Sequence, residues 1–161
     1  MKNPKNPLIY VIDTNPSYRK VISGCLSALN YRNIDSFSTI GDCLLANGTP
    51  DIIILDNEQG EEHLTGLEFF RVYRKRFQQT HFLFLSSDNN LDVAVDAIKM
   101  GAYDYIVKSK IGLERLIERV DKLVKVYRND LKRKHLYIFT LLSLGVLCIV
   151  FITAVLLYMG Q

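Results

Sequence analysis

Charge is missing from one end of this sequence: residues 136–161 carry no Asp, Glu, Lys or Arg. Glycine and proline are missing from residues 113–144, so no strong helix breaker interrupts that stretch. Cysteine is scarce. Cys25, Cys43 and Cys148 are scattered, odd in number and without metal or redox spacing, as expected for thiols of a reducing compartment. The opening Met-Lys-Asn-Pro-Lys-Asn-Pro has no apolar core after its charges and does not read as a signal peptide. There is no Gly-rich phosphate loop, no Ser/His/Asp arrangement, and no recognisable DNA-binding module after residue 112. These absences argue against an enzyme and against direct transcriptional output.

A broad basic surface is also lacking. Eight Lys/Arg and four Asp/Glu fall within 114–135, leaving 12 basic and 13 acidic residues in 1–113. The formal net charge of +3 therefore comes from one helical segment, and no nucleic-acid partner is expected.

What is present is organised around residues 51–56, Asp-Ile-Ile-Ile-Leu-Asp. Four aliphatics between two acids are too few for a helix, and three are isoleucine, stiff at χ1 and suited to a pleat. A continuous apolar run of this kind reads as a strand buried on both faces of a parallel sheet. Residues 8–13 (Leu-Ile-Tyr-Val-Ile-Asp) form a second such run. Residues 34–38, 81–85 and 104–107 read as further strands. Between them, helical spacing recurs: Val21, Ile22, Cys25, Leu26 and Leu29 after an Asn15-Pro16 start; a short helix over 41–47; Leu67, Phe70, Tyr73, Arg74 and Phe77 after Thr65; and Leu91, Ala94, Val95 and Ile98 after Asn90. A last helix starts near Gly112, with Leu113, Leu116, Ile117, Val120, Leu123, Val124, Tyr127 and Leu131 in phase. Strands alternating with helices predict an α/β fold with a doubly wound, five-stranded parallel sheet.

In such a sheet the strand ends share one edge, where ligands bind. Asp13, Asp56, Ser86 and Lys108 each stand at the C-terminal end of a different predicted strand. Together they suit phosphoryl transfer onto a carboxylate. In that chemistry Asp56 would be the nucleophile, and Asp13 with Asp56 would hold Mg²⁺. Lys108 neutralises phosphoryl charge, and the Ser86 hydroxyl donates to a phosphoryl oxygen.

Ile-Asp-Thr-Asn-Pro (12–16), Pro-Asp-Ile-Ile-Ile-Leu-Asp (50–56), Thr-Gly-Leu-Glu (65–68), Leu-Ser-Ser (85–87) and Gly-Ala-Tyr-Asp-Tyr-Ile-Val-Lys-Ser (101–109) occur in this order. With them the chain resembles the receiver domain of two-component response regulators, a flavodoxin-like fold, over about residues 7–127. The resemblance implies Asp56 as phosphoacceptor, Ser86 as switch hydroxyl, Tyr105 as switch aromatic and Lys108 as the family's invariant lysine. A histidine kinase or phosphotransfer protein is the implied partner. There are departures. The family's second acid after the first strand is Thr14 here, which removes a charge from the cation site. The loop from Asp56 to Gly66 is two residues longer and lacks its customary proline, the acid before that glycine is Thr65, and Ser109 replaces a typical proline. Glu58 either supplies a compensating ligand or crowds the site with negative charge.

Residues 136–159 have only Thr140, Ser143 and Thr153 as aliphatic hydroxyls. At roughly 1.5 Å per residue they would span about 36 Å, against a hydrocarbon core of about 30 Å. They read as a single transmembrane helix. Lys132, Arg133, Lys134 and His135 precede it, so the positive-inside rule places the soluble domain on the cytoplasmic side of the inner membrane. The expected organisation is a tail over 1–7, a receiver-like domain over 8–127, a basic juxtamembrane segment over 128–135, the span over 136–159, and the end at 160–161. Two functions remain open. One is a membrane-anchored, weakly phosphorylated response regulator with output through protein contacts. The other is a phosphorylation-independent adaptor or structural subunit of a membrane complex. Partners in either case are the lipid bilayer and other membrane proteins, among them a second copy of this chain.

Overall fold

A computed structural model describes residues 6–58, 65–76 and 78–159; for residues 76, 127–135, 150–151 and 153–158 only the backbone is described. The expected inward Phe77 and Tyr127, the basic segment 128–135 and most of the end of the apolar tail therefore lie outside the described side chains. The chain divides into two compact units, Met1–Leu123 and Val124–Gln161.

The elements are β1 (Ile9–Ile12), α1 (Pro16–Ala28), β2 (Ile34–Phe37), α2 (Ile40–Leu45), β3 (Ile52–Asp56), α3 (Gly66–Arg76), β4 (His81–Ser86), α4 (Leu91–Lys99), β5 (Asp104–Val107) and α5 (Lys110–Met159). The five strands are parallel in the order β2-β1-β3-β4-β5. Order reverses between β1 and β3, the switch point where ligands of such sheets bind. Ile12 pairs with Leu55, so Asp13 and Asp56 leave the sheet side by side. Asp56 pairs in turn with Leu85, and Ser86 with Val107. The register alone thus brings all four strand ends to one edge.

Both faces of the sheet are covered, as the continuous apolar runs require. Tyr10, Ile12, Ile53, Leu55, Phe82 and Phe84 belong to one core with Phe69 and Phe70 of α3 and Ala97 of α4. The alternate residues Ile9, Val11, Ile54, Leu83 and Leu85 are fully buried too, as are Ile22, Leu26, Leu116 and Val120. Aromatic rings fill the α3 side: Phe70 lies 4.6 Å from Phe82 and 5.4 Å from Phe84, centroid to centroid.

Local chemistry starts the helices. Asn15 caps α1 by accepting from the Ser17 and Tyr18 amides, and Asn90 does the same for α4. Thr65 and Glu68 exchange hydrogen bonds as a capping box at α3. Ser109 accepts from the Gly112 amide at 2.9 Å, which starts α5 at Lys110, two residues before the expected Gly112. Gly112 passes close to β5: a Cβ there would lie 2.0 Å from the Val107 carbonyl oxygen. Gly112→Ala is expected to destabilise the domain by about 2 kcal/mol, read as a lowered urea midpoint at unchanged slope.

Two helical stripes differ from expectation. On α1 only Ile22 and Leu26 are buried, with Val21 and Leu29 exposed. On α4 the apolar Leu91, Val95 and Ile98 are exposed, and the helix docks through Ala97 instead. A small side chain lets a short helix sit close to the sheet, and its larger neighbours then point outward.

In the second unit, Leu136, Phe139, Leu142, Val146 and Ile149 are among many exposed apolar side chains. Thr140 and Ser143 donate to the carbonyls of Tyr137 and Thr140, closing their hydroxyls onto the helix itself. Among the described residues, no helix is long and apolar enough to cross a membrane. The expected span over 136–159 includes side chains, at 150–151 and 153–158, that lie outside them.

Candidate functional site

Asp13 and Asp56 are buried at the edge between β1 and β3. Lys108, leaving β5, reaches both: its Nζ lies 3.0 Å from Asp13 Oδ2 and 2.8 Å from Asp56 Oδ2. The remaining carboxylate oxygens accept backbone amides, Asp13 Oδ1 from Asn15 at 2.8 Å and Asp56 Oδ1 from Glu58 at 3.2 Å. Arg19 donates to the Asp13 carbonyl and ties α1 to the same corner. Two buried acids thus share one ammonium.

Burial pushes the Asp56 carboxyl up to about 6; the Asp13 charge adds to this, and the Lys108 hydrogen bond opposes it. For Lys108, burial pulls the pKa down, but hydrogen bonds to Asp56 and Asp13 outweigh it and hold the ammonium above its ordinary value. The lysine is therefore charged at neutral pH. Asp56 is mostly ionised there but sits within reach of protonation.

Ser86, the last residue of β4, is fully buried. Its Oγ is 2.8 Å from Glu58 Oε1 and also 2.8 Å from the Asp88 carbonyl oxygen. Glu58 accepts further from the Ser87 amide, at 2.9 and 3.1 Å. Its carboxylate is thus engaged at the exit of β4. Among the described residues no group of three or more His, Cys, Asp or Glu side chains is placed to hold a metal ion. Tyr105 on β5 is buried, its ring stacked on Phe84 at 6.2 Å. The phenol is raised by burial, and among the described residues its hydroxyl has no hydrogen-bond partner of normal geometry.

Residues 9–121, well over half of the chain, match the response regulator receiver domain family. The chain belongs to this family. As a receiver it is similar to an NtrX-like response regulator of Rickettsia bellii, 30% identical over 131 residues that cover 78% of this chain and 27% of that protein. It is also similar to the nitrogen assimilation regulatory protein NtrX of Azorhizobium caulinodans, 26% identical, with 74% and 26% covered. Among solved structures, NtrX from Brucella abortus superposes with a TM-score of 0.67 at 27% identity, covering 80% of this chain and 28% of that one. A CheY-like receiver domain protein of Methanospirillum hungatei, at 16% identity and TM-score 0.68, covers 78% of this chain and 98% of its own, and shares the fold. The receiver thus spans little more than a quarter of the curated relatives it matches.

In this receiver the carboxylate oxygens of Asp13 and Asp56 suit a hard cation such as Mg²⁺, which keeps several waters and needs only one or two carboxylates. They must be shared with the Lys108 ammonium, and the neighbouring Thr14 is exposed and uncharged. Thr14→Asp is expected to tighten Mg²⁺ binding by about tenfold, since affinity follows ligand charge and count. Calorimetric titration of both forms measures it, and equal affinities would mean that the third charge is not what limits the site.

Sequence reasoning missed Tyr18, whose ring lies 5.4 Å from Lys108 Nζ. The available signal was its place three residues after the Asn15 cap, at the mouth of the same sheet edge. It also missed Asp104, held by Arg115 at 2.8 Å and Arg119 at 2.8 Å.

Proposed function

We propose that this chain is a membrane-tethered receiver in which Asp56 accepts a phosphoryl group from a histidine kinase or phosphotransfer protein. The observation that carries this reading is the ion-paired triad of Asp13, Asp56 and Lys108 beside Ser86 at the switch point of the sheet. In the transfer, an Asp56 carboxylate oxygen forms a bond to phosphorus while the bond from phosphorus to the donor's imidazole nitrogen breaks. The imidazole leaves with the electron pair and takes up a proton. Lys108 offsets the charge of the phosphoryl oxygens, and the Ser86 hydroxyl donates to one of them. Mg²⁺ held by Asp13 and Asp56 would supply further charge neutralisation. Tyr105, paired with Phe84 and stacked on it one strand over from Ser86, would report the change to the surface. Output then passes through protein contacts.

Labelling with a small phosphodonor in Mg²⁺, comparing the wild type with Asp56→Asn, tests this. Label is expected on the wild type only, and equal labelling of both would remove Asp56 from the role. A phosphorylation-independent adaptor remains the second reading, favoured by Thr14 and by Glu58 sitting on Ser86. That outcome follows if neither form is labelled.

The tether rests on the uncharged stretch 136–159 and the basic residues before it. The self-satisfied hydroxyls of Thr140 and Ser143 suit an apolar surround. The proposal places the receiver on the cytoplasmic side of the inner membrane. Full-length protein is expected to stay with membranes through alkaline extraction, whereas a chain held only by its basic segment would be released.

A further inference from the structure

We infer that Glu58 is a resident anion on the switch donors: its carboxylate occupies the place on the Ser86 hydroxyl and Ser87 amide that a phosphoryl oxygen would take, and must leave before one is held there. The inference rests on reading Asp56 as the acceptor.

Glu58 follows Asp56 by two residues, and its own amide donates to Asp56 Oδ1 at 3.2 Å. Backbone and side chain of one residue therefore bridge the acceptor and the donors at the end of β4. Those donors converge on the carboxylate: Ser86 Oγ at 2.8 Å, the Ser87 amide at 2.9 and 3.1 Å, and the Asp88 amide at 3.3 Å. Carboxylate and phosphoryl oxygens are alike in accepting such bonds with a full charge. Burial alone would raise the Glu58 pKa, but hydrogen bonds from Ser87 and Ser86 outweigh it and hold the carboxyl below its ordinary value.

Ser86 provides the alternative arrangement. Its hydroxyl carries one proton, yet Glu58 Oε1 and the Asp88 carbonyl both lie at 2.8 Å. With Glu58 in place the charged acceptor wins. With Glu58 withdrawn, the same proton turns to the carbonyl or to an incoming anion. The switch hydroxyl is thus engaged in the unmodified protein, and an external anion has to compete for it.

The test uses full-length protein in detergent micelles, wild type and Glu58→Gln, titrated with beryllofluoride in Mg²⁺ while the Ser87 amide is followed by NMR. In the variant the Ser87 amide proton is expected to move upfield, and beryllofluoride is expected to bind about tenfold more tightly, the scale of one charge-assisted hydrogen bond. A Ser87 resonance unmoved by Glu58→Gln overturns the inference. So does beryllofluoride binding of equal strength in both proteins. If neither protein binds beryllofluoride but Ser87 still moves, Glu58 does hold the donors, and it is the phosphoacceptor reading that fails.

Discussion

Replacing Asp56 by asparagine is expected to stabilise the receiver by about 3 kcal/mol at pH 7, scaled at 1.36 kcal/mol per pKa unit. Burial is the main cause of the rise of its carboxyl from 3.8 to about 6, with Asp13 adding and Lys108 opposing. A carboxyl with the higher pKa in the folded state binds more protons folded than unfolded between those two values. Stability therefore falls as pH rises through that interval. The penalty is complete above the folded pKa and absent below the unfolded one. Asparagine carries no charge at any pH, so the variant should lose that slope as well as gain stability. Urea unfolding of both proteins at pH 4.5 and 7.5 measures the effect. A variant no more stable at pH 7.5 would mean that Lys108 fully offsets the buried charge.

Removing Lys108 should act in the opposite direction, and more strongly. Lys108→Met keeps the apolar stem but strands Asp13 and Asp56, which it now pairs at 3.0 and 2.8 Å. Breaking a buried pair from one side costs about 3–5 kcal/mol. The loss should be largest at neutral pH and shrink toward pH 5, where Asp56 takes up a proton. Adding Asp56→Asn to Lys108→Met should return much of the stability. A double-mutant cycle then yields a coupling energy well outside experimental error, and strict additivity of the two changes would contradict the shared-charge account.

β1, β3 and β4 were readable because each is a dense, buried apolar run leading to a polar residue, whereas β2, at the sheet edge, alternates polar residues and is partly exposed. Convergence of Asp13, Asp56, Ser86 and Lys108 followed from parallel strand order, which places all carboxyl ends together. The α4 stripe misled because periodicity identifies an apolar face without saying whether anything covers it. Leu91, Val95 and Ile98 keep helical spacing and are exposed. The seat of Glu58 was illegible for another reason. It depends on how the backbone turns at Asn57 and Glu58, and neither charge nor spacing tells a cation ligand from an acceptor of Ser86 and Ser87. Lys108 was readable as a positive group, but its bridge between two acids needs the distances.

The strand order also bears on how the polypeptide matures during synthesis. β1 and β3 are made early, and their pairing brings Asp13 beside Asp56. The residue that neutralises them, Lys108, is translated some fifty positions after Asp56. A nascent chain that has completed β3 thus juxtaposes two acids without their counter-charge, in a sheet whose β4–β5 side is still absent. Closing the sheet early is disfavoured electrostatically until β5 delivers the ammonium. Fragments released before that point should populate loosened, protease-sensitive states at neutral pH and tighten in mild acid. The edge that gathers these strand ends would then be the checkpoint that makes folding wait for the last strand.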